Sequence, residues 1–273
     1  MMNPQVNAIT LAVGDIETAK GFYNRGLGCE LQEDHDGFAS LGLGDGSSTL
    51  GLYRWEALAK DAGVAPDSSG FRAFTLSYIL DRGDDVDAVM TNAQRAGAEV
   101  LRPARRALWG GYSGYFADPD GYLWKVASNK RPRSSARGGD AARRTIKPRE
   151  IAVTLGVEDF KKVKEFYKNL GCPIDKSFGS FATFALGDRS STLGLYRRRT
   201  LAKDAGVSEG GTGFHGFTLS HLAATGEEVD KMLSQAAGAG ATIAKQAETA
   251  SWGGYSGYFA DPDGNLWKVA AAA

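Results

Sequence analysis

The sequence predicts an α+β protein built from two copies of one domain, each copy containing two β-α-β-β-β units. The first observation is that WGGYSGYFADPDG runs from Trp109 to Gly121 and returns unchanged from Trp252 to Gly264. The second is a set of shorter repeats at the same spacing: STLGLYR (48–54 and 191–197), LAKDAGV (58–64 and 201–207) and FTLS (74–77 and 217–220). A period this long indicates a duplicated domain and excludes a short-repeat solenoid.

A change in composition separates the copies. The stretch 128–150 has no hydrophobic periodicity, is rich in Arg, Ser and Gly, and carries eight basic and two acidic residues. Such a composition is typical of a solvated linker, although an anionic partner stays open as an alternative. We predict a first domain over 1–128, a basic flexible linker over 129–149 and a second domain over 150–273.

The bulk composition excludes several function classes. Among 273 residues, 32 basic and 32 acidic side chains give a net charge of zero, so we expect no nucleic-acid partner. No apolar run approaches the ~18 residues of a membrane span, and the start has no signal-peptide pattern, so we expect a cytoplasmic protein without membrane association. Cys29 and Cys172 are too few for a disulfide framework or a Cys-based zinc site.

The first unit of each copy follows from its hydrophobic pattern, illustrated here for the first copy. Apolar residues alternate over 6–13, which predicts a strand. Asp15 is placed to cap a helix that runs to about Leu27 and ends at Gly28. Glycine-rich turns then separate three short strands, Glu30–Glu33, Phe38–Leu43 and Ser48–Arg54.

The second unit repeats the same order. FRAFTLSYI at 71–79 predicts a strand, and 84–97 predicts a helix with its apolar residues on one side. Strands follow at Glu99–Leu101, Tyr112–Ala117 and Tyr122–Ala127. The DPDG segment at 118–121 makes the tight turn between the last two strands, and it lacks the ligand spacing of a calcium loop.

Four such units in series, with ITLAV near the start and FADPDG followed by LW near the end of a copy, resemble the vicinal oxygen chelate (VOC) superfamily. This is the glyoxalase, bleomycin-resistance protein and extradiol-dioxygenase group. The resemblance covers roughly 6–128 and 150–271. It implies that the curved mixed sheet of each domain forms a cup, with helices packed on the other face. Metal enzymes of the group place a His, a Glu, a His and a Glu in the cup, on the first, fourth, fifth and eighth strands.

This sequence departs from that ligand pattern. The four positions carried over by strand are Ala8, Gly51, Ala73 and Lys125 in the first copy, and Ala152, Gly194, Gly216 and Lys268 in the second. Alanine and glycine have no donor side chain, and a protonated lysine repels a cation. We therefore expect no metal and no cofactor. A slip of one or two residues on the fifth strand would bring His215 or His221 nearer to the cup.

The residues that share a face with the carried-over positions are small. Alternation places Thr10 and Ala12 on this face in the first strand, and Thr75 and Ser77 in the fifth. Because unfilled volume costs stability in a closed core, we expect a cup open to a guest. The alternative is a cup filled by loops or by Trp109 and Tyr112.

Aromatic residues and one lysine per copy are the candidate ligand-binding residues. Aromatic rings stack on a flat guest, and a lysine on the cup face supplies a cation for a carboxylate, phenolate or quinone oxygen. A desolvated lysine can also act as a base or nucleophile. The alternative is a surface lysine at the end of the strand, with the aromatic rings in ordinary packing. The candidates are Tyr53, Trp109, Tyr112, Tyr115, Lys125, Tyr196, Trp252, Tyr255, Tyr258 and Lys268.

These observations favour a binding protein over an enzyme. We expect it to bind or sequester an aromatic, drug-like small molecule, as bleomycin-resistance proteins do in antibiotic resistance. A metal-independent isomerase or lyase, or a metal-dependent lyase or dioxygenase with unconventional ligands, is the alternative. We identify no catalytic residue, since no Ser-His-Asp or Cys-His arrangement is visible. The chain is expected to be a monomer with pseudo-twofold domains or a homodimer, and its cups close either within one copy or across both.

Overall fold

The computed structural model describes residues 2–44, 48–106, 110–132, 146–187, 190–250 and 253–272. Most of the predicted linker, 133–145, lies outside the described residues. None of the described helices has the length and apolar character needed to cross a membrane.

The elements of the two copies follow the same order. The first copy contains β1 (Ala8–Val13), α1 (Ile16–Phe22), a π-helical turn (Tyr23–Leu27), β2 (Glu30–His35), β3 (Phe38–Gly42), β4 (Thr49–Arg54), α2 (Trp55–Ala62), β5 (Ser68–Gly70), β6 (Phe74–Leu80), α3 (Gly83–Arg95), β7 (Glu99–Arg106), β8 (Tyr112–Ala117) and β9 (Leu123–Ser128). The second contains β10 (Glu150–Val157), α4 (Phe160–Asn169), β11 (Ile174–Phe178), β12 (Phe181–Phe184), β13 (Thr192–Arg197), α5 (Arg198–Ala205), β14 (Gly211–Gly213), β15 (Phe217–Ala223), α6 (Gly226–Ala239), β16 (Thr242–Thr249), β17 (Tyr255–Ala260) and β18 (Leu266–Ala271).

Each eight-stranded sheet takes four strands from each copy. The first sheet has the order β16-β17-β18-β15-β1-β4-β3-β2, and the second has the order β11-β12-β13-β10-β6-β9-β8-β7. The copies meet where β1 runs antiparallel to β15 and where β10 runs antiparallel to β6. The predicted α+β duplication with two βαβββ units per copy is confirmed. Both sheets are built across the two copies, which settles a point that the sequence left open.

Local sequence explains how the elements begin, end and bend. Asp15 accepts a hydrogen bond from the Thr18 amide and caps α1, as predicted, and Gly28 ends the π-helical turn with a left-handed conformation. The strand register shifts between β2 and β3, and between β7 and β8. Irregularities of this kind allow a strand to bend.

One face of each sheet is the packed core. The alternating residues Ile9, Leu11, Leu50 and Leu52 are fully buried on the face that carries the helices. The largest buried rings of this layer include Trp124 of β9, which stacks on Phe116 with an interplanar angle of 10°. The opposite, concave face of each sheet is therefore the only sheet surface left for a site among the described residues.

Candidate functional site

The two concave faces are called here the first cup, on the sheet that contains β1 and β18, and the second cup, on the sheet that contains β10 and β9. Residues along β1 and β4 of the first cup remain half-buried, unlike the fully buried residues between them. They are Ala8, Thr10, Thr49 and Tyr53, and their counterparts in the second cup are Ala152, Thr154, Thr192 and Tyr196. The predicted small-residue face is thus accessible over part of its length.

A helix covers the remaining part of each cup. In the first cup, Leu58, Ala59 and Ala62 of α2 pack on the cup-facing side of the sheet in one hydrophobic cluster with Ala12 and Tyr258. In the second cup, α5 forms the equivalent cluster with Tyr115 and Leu123. The repeated LAKDAGV segment supplies these helices. The sequence reading did not identify them, and they fill in part the space that it assigned to a guest.

A cross-copy cluster of charged and phenolic groups lies beneath α2. Lys268 of β18 donates to Asp61 Oδ2 of α2 at 2.9 Å, and the Tyr258 hydroxyl donates to the same oxygen. Lys268 is opposite Tyr258 in the ladder, and its Nζ lies 5.3 Å from the centre of the Tyr258 ring. Asp61 belongs to the first copy and both donors belong to the second, so neither copy alone contains the cluster.

The second cup repeats this cluster with the copies exchanged. Lys125 donates to Asp204 Oδ2 at 2.8 Å, and the Tyr115 hydroxyl donates to the same oxygen. The side chain of Asp204 is 46% exposed and that of Asp61 is 24% exposed. The first cluster is therefore the more enclosed of the two.

The electrostatics of the first cluster act on the pKa values of Asp61 and Tyr258 in opposite directions. Burial by itself raises the pKa of Asp61, but the Lys268 charge and the bonds from Tyr258 and Lys268 outweigh it and bring the pKa below its ordinary value. Burial, followed by the nearby Asp61 charge, raises the pKa of Tyr258 well above its ordinary value. Asp61 is thus a carboxylate and Tyr258 a neutral phenol.

The strand register shows which residues lie beside the lysines. Ala8 is opposite Ser220, and Ser220 is opposite Lys268, so these three residues form one row across the first cup. Ala152, Ser77 and Lys125 form the matching row in the second. The fifth-strand residues in the lysine row are therefore Ser77 and Ser220. Ala73 and Gly216, which the sequence alignment assigned to it, precede β6 and β15.

These rows do not fit the family's metal. A hydroxyl, a methyl group and an ammonium already paired with a carboxylate do not provide the imidazole and carboxylate donors that such a metal takes. His215 and His221 do not supply them: His215 Nδ1 is 3.1 Å from Asn265 Oδ1, and His221 Nδ1 accepts from the Gln5 amide. Over the part of the chain that the structure describes, no group of three or more His, Cys, Asp or Glu residues is placed to hold a metal ion.

The structure brings six of the ten candidate residues into the cups: the two lysines, Tyr115, Tyr258, Tyr53 and Tyr196. The Tyr53 ring meets Phe38 edge to face at 6.0 Å, and Tyr196 meets Phe181 in the same way at 5.7 Å. These ring pairs border the accessible part of each cup.

The remaining candidates are elsewhere. The predicted cup position of Tyr112 and Tyr255 is corrected, because their hydroxyls bond to Asp87 of α3 and Asp230 of α6 on the helix-bearing face. Alternation explains the difference, since Tyr112 is three residues from Tyr115 and so faces the other way. Trp109 and Trp252 lie outside the described residues.

The sequence reading missed the two aspartates that organise the clusters. Asp61 and Asp204 occupy the same position in the two copies of LAKDAGV. The identity of that segment in both copies was the available signal. This identity did not reveal that the segment forms a helix whose aspartate contacts a strand of the other copy.

Comparison with known proteins identifies the family and supports the fold. A family model described as the Glyoxalase/Bleomycin resistance protein/Dioxygenase superfamily matches residues 5–126 and 151–269. The structure is similar to that of glyoxalase I from Zea mays, with 19% identity, a TM-score of 0.66, and coverage of 98% of this chain and 92% of that one. A glyoxalase-related enzyme from Fulvimarina pelagi is 31% identical over 45% of this chain and 87% of its own, with a TM-score of 0.43. No curated protein matches the chain.

Proposed function

This chain belongs to the Glyoxalase/Bleomycin resistance protein/Dioxygenase superfamily, and we propose that it is a metal-independent binding protein that sequesters an aromatic, drug-like small molecule bearing an anionic oxygen. Each cup takes one guest. The observation that carries this proposal is the row of Ala8, Ser220 and Lys268 across the first cup, with its counterpart in the second.

The accessible part of each cup suits a flat guest. Thr10 and Phe38 form the floor here and close over Gly51, since a Cβ atom at Gly51 would lie 2.8 Å from Thr10 Oγ1 and 3.4 Å from Phe38 Cε2. The Tyr53 ring meets Phe38 edge to face, and the two rings offer faces and edges for stacking. Floor and rings together favour an aromatic body over a long flexible one.

Lys268 and Lys125 provide the charge selectivity. The Lys268 ammonium donates to Asp61 at 2.9 Å. Ser220 of the same row is buried, so a guest carboxylate or phenolate would reach the ammonium through the 19% of the Lys268 side chain that stays exposed. The aspartate holds the lysine in position, so we assign the lysine a binding role.

The resolved pKa shifts favour binding over proton-transfer chemistry. A general acid or base works best with a pKa near the working pH. In the first cup the pKa of Asp61 is lowered and that of Tyr258 is raised, so both pKa values move further from neutral pH. The second cup shows the same directions at Asp204 and Tyr115.

The structure also supports a proposal for the oligomeric state and the cellular compartment of the protein. The fused copies supply both halves of both cups, so we propose that the monomer is the binding unit. Cys29 and Cys172 are buried, unpaired thiols, which supports the reducing cytoplasm as the compartment.

Binding of 1-naphthoate and of its neutral analogue 1-naphthalenemethanol, followed by calorimetry, tests the proposal. We expect the acid to bind more tightly, and Lys125→Met together with Lys268→Met to weaken it by about tenfold or more, because a charged hydrogen bond is lost. Lys60→Met, an exposed lysine on α2, is the matched control. Equal affinity for acid and alcohol, or an unchanged affinity in the double variant, would remove the role of the lysines. Turnover of a carbonyl substrate that disappears on chelation would instead establish the metal-dependent alternative.

A further inference from the structure

A second kind of pocket lies where the copies meet, apart from the two lysine rows. It has a volume of about 260 Å³ and is lined by residues of both copies. Its apolar wall comprises Phe71, Phe74, Tyr122, Leu123 and Val207. Of the described residues that line it, Arg72 is the one with a cationic side chain.

Arg72 is held in place by two aromatic rings. Its guanidinium carbon lies 4.3 Å from the centre of the Tyr122 ring and 4.8 Å from the centre of the Trp55 ring. Tyr122 is itself fixed, because its hydroxyl donates to the carbonyl oxygens of Ala12 and Gly216. The ring sandwich fixes the plane of the guanidinium and removes much of the entropy that Arg72 would lose on binding a ligand.

Among the residues that the structure describes, none accepts a hydrogen bond from this arginine. Within the described residues Arg72 forms no hydrogen bond or ion pair, and its Nη1 atom is buried without a partner. Asp120 feels its charge but forms no ion pair with it. A half-buried guanidinium without an acceptor is uncommon, because unmet buried donors cost free energy. Arg72 therefore has hydrogen-bond capacity that the described residues do not use.

At the matching positions of the second copy, the polar side chains have hydrogen-bond partners. Arg72, Tyr122 and Trp55 correspond in the repeat to His215, Asn265 and Arg198. Asn265 provides a partner for His215 at 3.1 Å, and Arg198 bonds to the carbonyl oxygens of Phe71 and Gly211. The three positions at which the copies differ here lie close together. Of these residues, only Arg72 of the first copy has a buried donor without an acceptor among the described residues.

We propose that this junction pocket, made of Arg72 and its apolar wall, binds a small monocarboxylate with a flat apolar body. The guanidinium fork matches a carboxylate, and the rings and Leu123 enclose the body. The nearby Asp120 disfavours a doubly charged phosphate. The proposal uses neither lysine row, although Phe71 and Leu123 of the pocket wall also belong to the hydrophobic cluster of the second cup.

The indole N–H of Trp55 lies beside this pocket. It donates to the Pro66 carbonyl, and its ring touches Arg72, so a ligand at the guanidinium shifts its ¹H–¹⁵N resonance. The resonance is assigned with Trp55→Phe. Titration of the full chain with benzoate is expected to shift it saturably, whereas benzamide, which has the same ring without the charge, is expected to bind at least about tenfold more weakly. Because Trp55 also packs on the α2 cluster of the first cup, the titration is repeated with Lys125→Met and Lys268→Met, so that binding in the cups does not contribute.

Substitutions at Arg72 test whether the benzoate-induced shift of the Trp55 resonance arises at this arginine. Arg72→Gln is expected to abolish the saturable shift, and Arg72→Lys to weaken benzoate binding, because a lysine keeps the charge and loses the fork. Arg54→Gln removes an exposed cation next to Trp55 in sequence and is expected to change nothing. Equal shifts with benzoate and benzamide, or no saturable shift with benzoate in the wild-type protein, would overturn the proposal. This conclusion does not depend on whether Arg72→Gln folds.

Discussion

Lys268 and Asp61 lie 207 residues apart, in different copies of the repeat, and their side chains meet at 2.9 Å beneath α2. The matching pair, Lys125 and Asp204, crosses in the opposite direction. Each cup is therefore closed by a helix from one copy and a strand from the other. Binding and folding depend on the same cross-copy contacts, and the predictions below test both.

Separated copies are expected to be unable to fold as monomers. The strands that flank the centre of each sheet, β1 with β15 and β10 with β6, come from different copies. A fragment of residues 1–128 would expose two unpaired strand edges and is expected to form a homodimer or aggregate. Coexpression with 150–273 is expected to give a 1:1 complex with the circular dichroism spectrum of the intact chain.

Light scattering coupled to size exclusion measures these masses, with the intact chain as the reference. A folded, monomeric 1–128 fragment with native-like secondary structure would contradict the shared-sheet arrangement.

Asp61→Asn is expected to lower the free energy of unfolding by about 1–3 kcal/mol, because it leaves Lys268 and Tyr258 without their charged acceptor. Asp204→Asn, at the more exposed cluster, is expected to cost about 0–1 kcal/mol. Urea denaturation measures both. The double variant Asp61→Asn with Lys268→Met should lose less than the two single changes combined, since they remove the same bond. Additive losses would show that the pair is not coupled, and Asp36→Asn, a fully exposed carboxylate, is the control.

Gly216→Ala is expected to destabilise the protein by at least about 1 kcal/mol. Gly216 has φ of +75°, and an added Cβ would lie 2.6 Å from Tyr122 Oη and 2.7 Å from Trp55 Cζ3. Gly238→Ala, in α6 with nothing within 4 Å, is the matched control and is expected to stabilise the helix by up to about 1 kcal/mol. Thermal melting compares the variants, and equal melting temperatures would contradict the close packing at the junction.

Asp118, in the first DPDG turn, is expected to titrate near neutrality. Burial raises its pKa to about 6, despite hydrogen bonds from Tyr23 and from the Tyr122 amide. Because the folded protein holds this proton more tightly than the unfolded chain, the stabilising effect is complete below about pH 4 and is lost as the pH rises through about 6. A ¹³C NMR titration of the carboxyl measures this pKa directly. A value near 4 would contradict the burial argument, and Asp118→Asn should flatten the stability profile over this range.

The fold was predictable from sequence because its signals are local. Alternation identified β1, the DPDG turn located the β8–β9 connection, and Asp15 and Gly28 marked the ends of the first helical segment. Period-two alternation also placed Tyr115 beside Lys125 on one face of the sheet.

The site was predictable only in part because its other half is non-local. Nothing in the sequence near Lys268 indicates that Asp61 is its partner, since strand exchange between copies is decided by tertiary packing. The helices α2 and α5 are eight residues long and lack a side-chain cap, so their start carries no sequence signal. Tyr112 was misplaced because an aromatic-rich segment was treated as one surface, although its neighbours face opposite ways.

The most direct test of the central claim is native mass spectrometry of the full chain with 1-naphthoate, carried out on the Arg72→Gln variant so that the junction pocket does not contribute. The account predicts up to two bound guests per chain, one when Lys125→Met or Lys268→Met is added, and none when both are added. Two guests retained in the double-lysine variant, or a mass increase equal to a chelatable divalent metal in place of an organic guest, would contradict it.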